Sequence, residues 1–160
     1  FYFKFIKSLD TKDEQWWQHN YNSRSVESWQ GTSFELVCLT HLNQIKLKLG
    51  ISGISTCASS WRYNASEEST ERGAQIDLVI DRGDHVINLC EIKFCATRFS
   101  VTADYERTIR DRVRLFREKT GTSKTLVCTF ITTFGVVKGT HYGIVDNEVD
   151  SNDLFARQLP

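Results

Sequence analysis

The chain has 160 residues, enough for one domain whose core needs no metal or disulfide to complete it. Its 20 basic and 20 acidic residues cancel, so no global field draws it onto nucleic acid, and any such binding has to come from a local basic patch. No apolar run approaches a membrane span and the opening residues lack the make-up of a signal peptide, which predicts a cytoplasmic protein without membrane contact.

The five cysteines (Cys38, Cys57, Cys90, Cys95 and Cys128) are odd in number and form no CxxC pair. Most fall at apolar positions, as buried thiols in a reducing cytosol would. Cys38 and His41 lie one helical turn apart, but no second such pair accompanies them to complete a zinc site. The absence of methionine, even at position 1, gives the expectation of a fragment whose start lies upstream.

Residues 1–28 form an N-terminal segment, read as a linker to or remnant of an upstream domain. In it FYFKFIKSL suits a strand or helix packed on that domain, and residues 10–25, with the Trp16-Trp17 pair, suit a loop or short helix. The domain proper is expected over 29–160. Its first long helix is predicted over Trp29 to Leu49, where Phe34, Cys38, Leu42, Ile45 and Leu49 recur at helical steps and Gly50 supplies the stop. Glu35 flanks that stripe. Ile51 to Tyr63 is expected to contain a strand with Trp61 near its end, and Asn64 to Arg72 an exposed, mobile, acidic loop beside a substrate cleft.

Next come two apolar, β-branched runs, Ile76 to Ile80 and Val86 to Ile92, separated by Asp81-Arg82-Gly83-Asp84. A β-hairpin follows, with Gly83 expected to supply a positive φ. Glu91 and Lys93 share one face of the second strand, and the hairpin brings Asp77 to the same end. Two carboxylates and an ammonium on nearly apolar strands are costly to bury unless paired or bound to a cation. A hard divalent cation suits them: Mg²⁺, with Mn²⁺ as substitute, is held by one or two carboxylates and leaves positions for water and substrate phosphate. With Lys93 to orient water or stabilise charge on phosphorus, this is equipment for phosphodiester hydrolysis. Asp77, Glu91 and Lys93 are the candidate catalytic residues, and Asp77 and Glu91 the candidate metal ligands.

After a connector from Cys95 to Ser100, a second long helix is predicted over Val101 to Thr120, stopped by Gly121. Val101, Tyr105, Ile109 and Phe116 mark its buried stripe, and Arg112 projects into it, which calls for a task or a carboxylate partner. Arg107, Arg110, Arg114 and Arg117 lie toward the opposite side. They read first as a solvated face laced with Asp111 and Glu118; contact of Arg110 and Arg107 with phosphate is the second reading. Lys124 to Thr132 suits a central strand buried on both faces. Phe134-Gly135 then turns, His141 to Val145 is expected as a short strand, and Asp153-Leu154-Phe155 begins a terminal turn or helix. Gly121-Thr122-Ser123-Lys124-Thr125 follows a helix and precedes a strand, the reverse of a phosphate loop, so no ATP site is expected.

Asp77 followed by Glu91-Ile92-Lys93 on a hairpin resembles the PD-(D/E)XK signature of the restriction-endonuclease-like nucleases, with Ile76 in place of the proline. The wording around it (GAQIDLVIDR, INLCEIKF, WQGTSFELVCLTH and the later DLF) is similar to the C-terminal nuclease-like domain that follows an AAA+ ATPase module in a family of Bacteroidetes proteins. The resemblance covers about Trp29 to Phe155 and implies an α/β sandwich, a mixed central sheet flanked by helices. It implies Mg²⁺-dependent cleavage of nucleic acid, with DNA the leading substrate, and an ATPase domain upstream in the same polypeptide. It also implies that Glu35 lends a third carboxylate to the metal, against the alternative of a solvated glutamate near a helix start. The backbone carbonyl of Ile92 would join the site, and Arg112 would reach phosphate. Two other classes stay open: a non-catalytic nucleic-acid-binding or regulatory module of that ATPase, and a protein-interaction domain.

Overall fold

The structure is a computed structural model describing residues 15–65 and 73–156; the expectations for FYFKFIKSL and for most of the acidic loop lie outside them. A short helix, α1 (Trp16–Asn20), precedes Ser23, whose hydroxyl accepts from the Val26 N–H and caps α2 (Arg24–Thr40). Val26, Phe34 and Cys38 form the buried edge of α2. The first long helix therefore starts at Arg24 rather than Trp29, crosses the boundary expected after Ser28, and breaks before Leu49.

The break is local chemistry. Thr40 Oγ1 donates to the Val37 carbonyl at 2.9 Å and His41 Nδ1 lies 2.8 Å from the same oxygen, so side chains compete for the helical acceptor. His41 leaves the helical region (φ −111, ψ 29), and α3 (Leu42–Lys48) restarts beyond it, ending before Gly50 at φ 68.

Five strands follow: β1 (Thr56–Tyr63), β2 (Ala74–Arg82), β3 (Val86–Lys93), β4 (Thr125–Thr132) and β5 (Asn147–Asp150). They lie in one mixed sheet in chain order, with β1, β2 and β3 antiparallel and β3, β4 and β5 parallel. The β3–β4 crossover is α4 (Ala103–Thr120), capped by Thr102 and closed by Gly121 in the left-handed region. Helices flank the sheet. One apolar cluster joins Phe34, Cys38 and Ile45 of α2 and α3 to Leu78, Ile80, Cys90, Ile92, Ile131 and Val149. On the α4 side Ile109 packs with Phe130 and Val136, and Phe116 with Ile76, Val79 and Leu89.

Three expectations change. The hairpin loop is Gly83-Asp84-His85, and the positive φ falls on His85 (64°), not Gly83. A three-residue hairpin loop places its left-handed residue last, and histidine tolerates that region better than most side chains do. Residues His141 to Val145 hold a single 3-10 turn, Tyr142–Ile144, because the Tyr142 N–H closes on Gly139 and the Val145 N–H on Tyr142. The last strand falls on the polar stretch 147–150 instead, where carboxylates before and within it have structural partners: Asp146 accepts from the Cys128 N–H and Glu148 from the Val136 N–H. Cys57 is exposed, whereas Cys38, Cys90 and Cys128 are buried and Cys95 is half-buried. Ser151–Leu154 forms α5, opened by a reciprocal Asp150–Asp153 capping box.

Candidate functional site

The site is built where the hairpin stops being regular. β2 and β1 pair Val79 with Ser59 and then Ile76 with Trp61, so β2 carries one extra residue between them. β2 and β3 pair as far as Leu78 and Cys90, and continuing that register sets Asp77 opposite Glu91. Asp77 thus sits at the end of the regular ladder, beside a bulge that re-aims side chains. Its carboxylate accepts two long bonds, from the Ile92 N–H at 3.3 Å and from Gln75 Nε2 at 3.4 Å. Gln75 in turn accepts from Arg62. Burial and the facing Glu91 carboxylate hold the Asp77 carboxyl above its ordinary value, against the Ile92 N–H, Lys93 and Arg112.

Glu91 is the most enclosed member, with a side chain only 7% exposed. Its Oε1 accepts from the Tyr105 hydroxyl at 2.5 Å and the Lys93 ammonium at 2.8 Å, and its Oε2 from Arg112 Nη1 at 2.7 Å. Burial alone would push the Glu91 carboxyl up, but Lys93 and then Arg112 outweigh it and hold it below its ordinary value. Burial and then the Glu91 carboxylate push the Tyr105 phenol far up, keeping it a donor. Lys93 also lies 5.8 Å from the Tyr105 ring centroid, within cation–π range.

Glu35 comes from the middle of α2, not from its start, so the helix-dipole alternative does not describe it. Its carboxyl is raised by burial and by Asp77, with Lys93 opposing and Glu91 adding to the rise. Glu35, Asp77, Glu91, Lys93 and Arg112 therefore share one electrostatic neighbourhood, fed by α2, β2, β3 and α4. Among the described residues, no three His, Cys, Asp or Glu side chains are placed to hold a metal ion together.

Arg107 and Arg110 stand apart from this cluster. Arg107 pairs with Asp104 at 3.1 Å and Arg110 with Glu106 at 2.6 Å, on the solvated side of α4. Glu106 also meets His141 Nδ1 at 2.7 Å. Beside the cluster, an open cavity of about 810 Å³ lies between α4 and the ends of β1 and β2, lined by Arg62, Gln75, Thr108, Arg112 and Arg114 among others. Burial pushes the Cys38 thiol up to about 12 and the Cys128 thiol up to about 11, so neither is a thiolate near neutral pH.

One participant and one buried neighbour in register escaped the sequence reading. Tyr105 was legible only as part of an apolar stripe, although its spacing from Arg112 puts both on one helical face. Thr132, paired in register with Lys93, is fully buried, and its hydroxyl has no partner among the described residues.

Fold and site together define an α/β domain with a carboxylate–lysine–arginine cluster at the carboxyl end of β3. No family model, curated protein or solved structure matches the chain. Among the described residues, no helix is long and apolar enough to cross a membrane.

Proposed function

We propose that this domain hydrolyses a phosphodiester bond of nucleic acid, with DNA as the leading substrate, in a restriction-endonuclease-like framework serving an ATPase module. The observation that carries the reading is the convergence of Asp77, Glu35 and Lys93 around a buried, ionised Glu91. Burial first, and then the neighbouring carboxylates, raise Asp77 and Glu35, and carboxyls displaced in this way gather at functional sites. The position agrees: in open α/β sheets, ligands bind beyond the carboxyl ends of parallel strands, where Lys93 of β3 and Thr132 of β4 lie.

In this reading Asp77, Glu91 and Glu35 would hold a hard divalent cation, and the bonds Asp77 accepts are long enough to yield to one. One or two carboxylates suffice for Mg²⁺, which when bound supplies Lewis-acid polarisation of phosphate and acidifies water. The chain's own residues do the rest. Lys93, at the open end of β3, presents fixed positive charge where negative charge develops on phosphorus. Arg112, on the cavity wall, contributes a second cation. Zero net charge suits a domain brought to nucleic acid by its partner.

A second reading has its own observation. Both Glu91 oxygens are engaged internally, which suits a module that binds nucleic acid or regulates the ATPase without cutting. Incubation with supercoiled plasmid and with labelled single-stranded DNA and RNA, in Mg²⁺ or Mn²⁺, separates the two. Cleavage by wild type that disappears in Asp77→Ala and Lys93→Ala supports hydrolysis. An intact wild-type fold that cuts none of these substrates sinks it, and oligonucleotide binding then tests the second reading.

A further inference from the structure

The order of the strands sets three kinds of chemistry in a line along one edge of the sheet. Because β2 runs against both β1 and β3, its start lies at the edge where β1, β3 and β4 end. At the β1–β2 end of that edge the cavity carries Arg62 and Arg114. Asp77, Glu91 and Lys93 stand in the middle, on β2 and β3. Past the ends of β3 and β4 come two exposed rings: Phe94, directly after Lys93, is 39% exposed, and Phe134, two residues after Thr132, is 53% exposed. The Cys95 N–H donates to Thr133 Oγ1 at 3.0 Å and the Phe99 N–H to the Gly135 carbonyl at 2.8 Å, so the connectors that carry the rings are tied side by side. Phe34 braces the Phe94 ring edge-on, with centroids 6.0 Å apart. One exposed phenylalanine is ordinary. Two on tied connectors, next to a charged cluster, offer flat apolar faces to a ligand that carries both rings and negative charge.

We propose that this edge takes single-stranded nucleic acid, with phosphates along the cavity arginines and bases stacked on Phe94 and Phe134. Arg62 and Arg114 supply the charge complement for the backbone, and the phenyl rings supply the sequence-tolerant π-faces on which unpaired bases stack. A duplex keeps its bases stacked inside, and freeing one costs unpairing and unstacking, so the rings favour a strand whose bases are already free. From β1 to β4 is three strand spacings, about 15 Å, which at about 3.4 Å or more per nucleotide holds no more than about four nucleotides. The inference rests on the hydrolysis reading for the bond to be cut, which falls beside Lys93 between arginines and rings, but the rings are measurable without cleavage.

The test uses the full chain in EDTA, so that nothing is cut, and follows the anisotropy of a labelled oligothymidylate and of a duplex of equal length. Wild type is expected to bind the single strand about fivefold or more tightly than the duplex. Phe134→Ala should weaken the single strand about fivefold or more and the duplex less than about twofold, at low and high salt alike, because a phenyl ring carries no charge. Phe134→Trp should bind at least as tightly as wild type, and Phe134→Leu as weakly as Phe134→Ala. Phe94→Leu, which keeps apolar fill against Phe34, should show a loss like that of Phe134→Leu. Equal affinity for strand and duplex, no binding to either, or a Phe134→Leu variant as tight as wild type overturns the proposal. Cleavage in Mg²⁺ is then read separately. Ring-dependent binding of the single strand without any cutting keeps this inference and sinks hydrolysis. Cutting confined to duplex and indifferent to both rings keeps hydrolysis and sinks this inference.

Discussion

At the scale of single residues, two neighbouring carboxylates respond oppositely to the same fold. Asp77 is raised, so the native state keeps its proton to higher pH than the unfolded chain does. Below the ordinary value of 3.8 both states are protonated and the residue is neutral to stability. As pH rises from there through the folded value, ionisation costs stability, and the cost persists above it. Asp77→Asn is therefore expected to stabilise the cation-free protein at neutral pH by about 0.5–1 kcal/mol, with the gain vanishing in acid. Urea unfolding of both proteins at neutral pH and near pH 3.5 reads it; a destabilised variant at neutral pH rejects the argument. Glu91 is lowered, so its contribution is present above 4.5 and fades as pH falls through the folded value.

The same scale holds one orphan. Thr132 Oγ1 is buried with no partner among the described residues, a group that ordinarily costs about 1–3 kcal/mol to leave unmade. Thr132→Val keeps the branched shape that suits β4 and removes the hydroxyl. The expected result is a gain of about 1 kcal/mol in chemical denaturation. A loss instead would show that the hydroxyl has a partner in solution. Sequence reasoning found Asp77, Glu91, Lys93 and Arg112 because charge on an apolar strand or stripe stands out. It missed Tyr105 because the residue looks like ordinary filling until the fold sets its hydroxyl on Glu91.

At the scale of elements, the hairpin, α4 and β4 were legible because their apolar periods run unbroken between glycine or polar stops. The split of α2 from α3 was not, because Thr40 and His41 act through side-chain bonds to the Val37 carbonyl that leave the apolar stripe intact. β5 was hidden for a related reason: its polar residues are recruited to partners, and Glu148 receives both the Val136 N–H and the Tyr142 hydroxyl. That recruitment also crowds Gly135. It adopts φ 82, and an added Cβ would lie 2.5 Å from Glu148 Oε1. Gly121 has φ 63 but open space around it. Gly135→Ala should cost roughly 2–4 kcal/mol and Gly121→Ala roughly 1, since only the first adds a collision to the backbone strain. Equal losses in urea unfolding would remove the Glu148 contact from the account.

At the scale of the whole molecule, charge decides how the domain meets a polyanion. The outer face of α4 is neutralised by its own acids, through Arg107–Asp104 and Arg110–Glu106. The cavity beside the site presents Arg62, Arg112 and Arg114 against Asp111 and Glu118. Arg62, Arg112 and Arg114 limit the phosphates neutralised here to about three, so affinity for single-stranded DNA should fall with salt at a log–log slope no steeper than about −2. Paired alanines at Arg62 and Arg114 should flatten that slope further, whereas alanines at Arg107 and Arg110 should leave it unchanged, because those two sit away from the cavity. Anisotropy titrations over a salt series distinguish the pairs. A steep slope abolished by Arg107 and Arg110 would move the nucleic-acid interface to the outer face of α4, and the cluster around Glu91 would then lie on the wrong side of that helix to reach the bound strand.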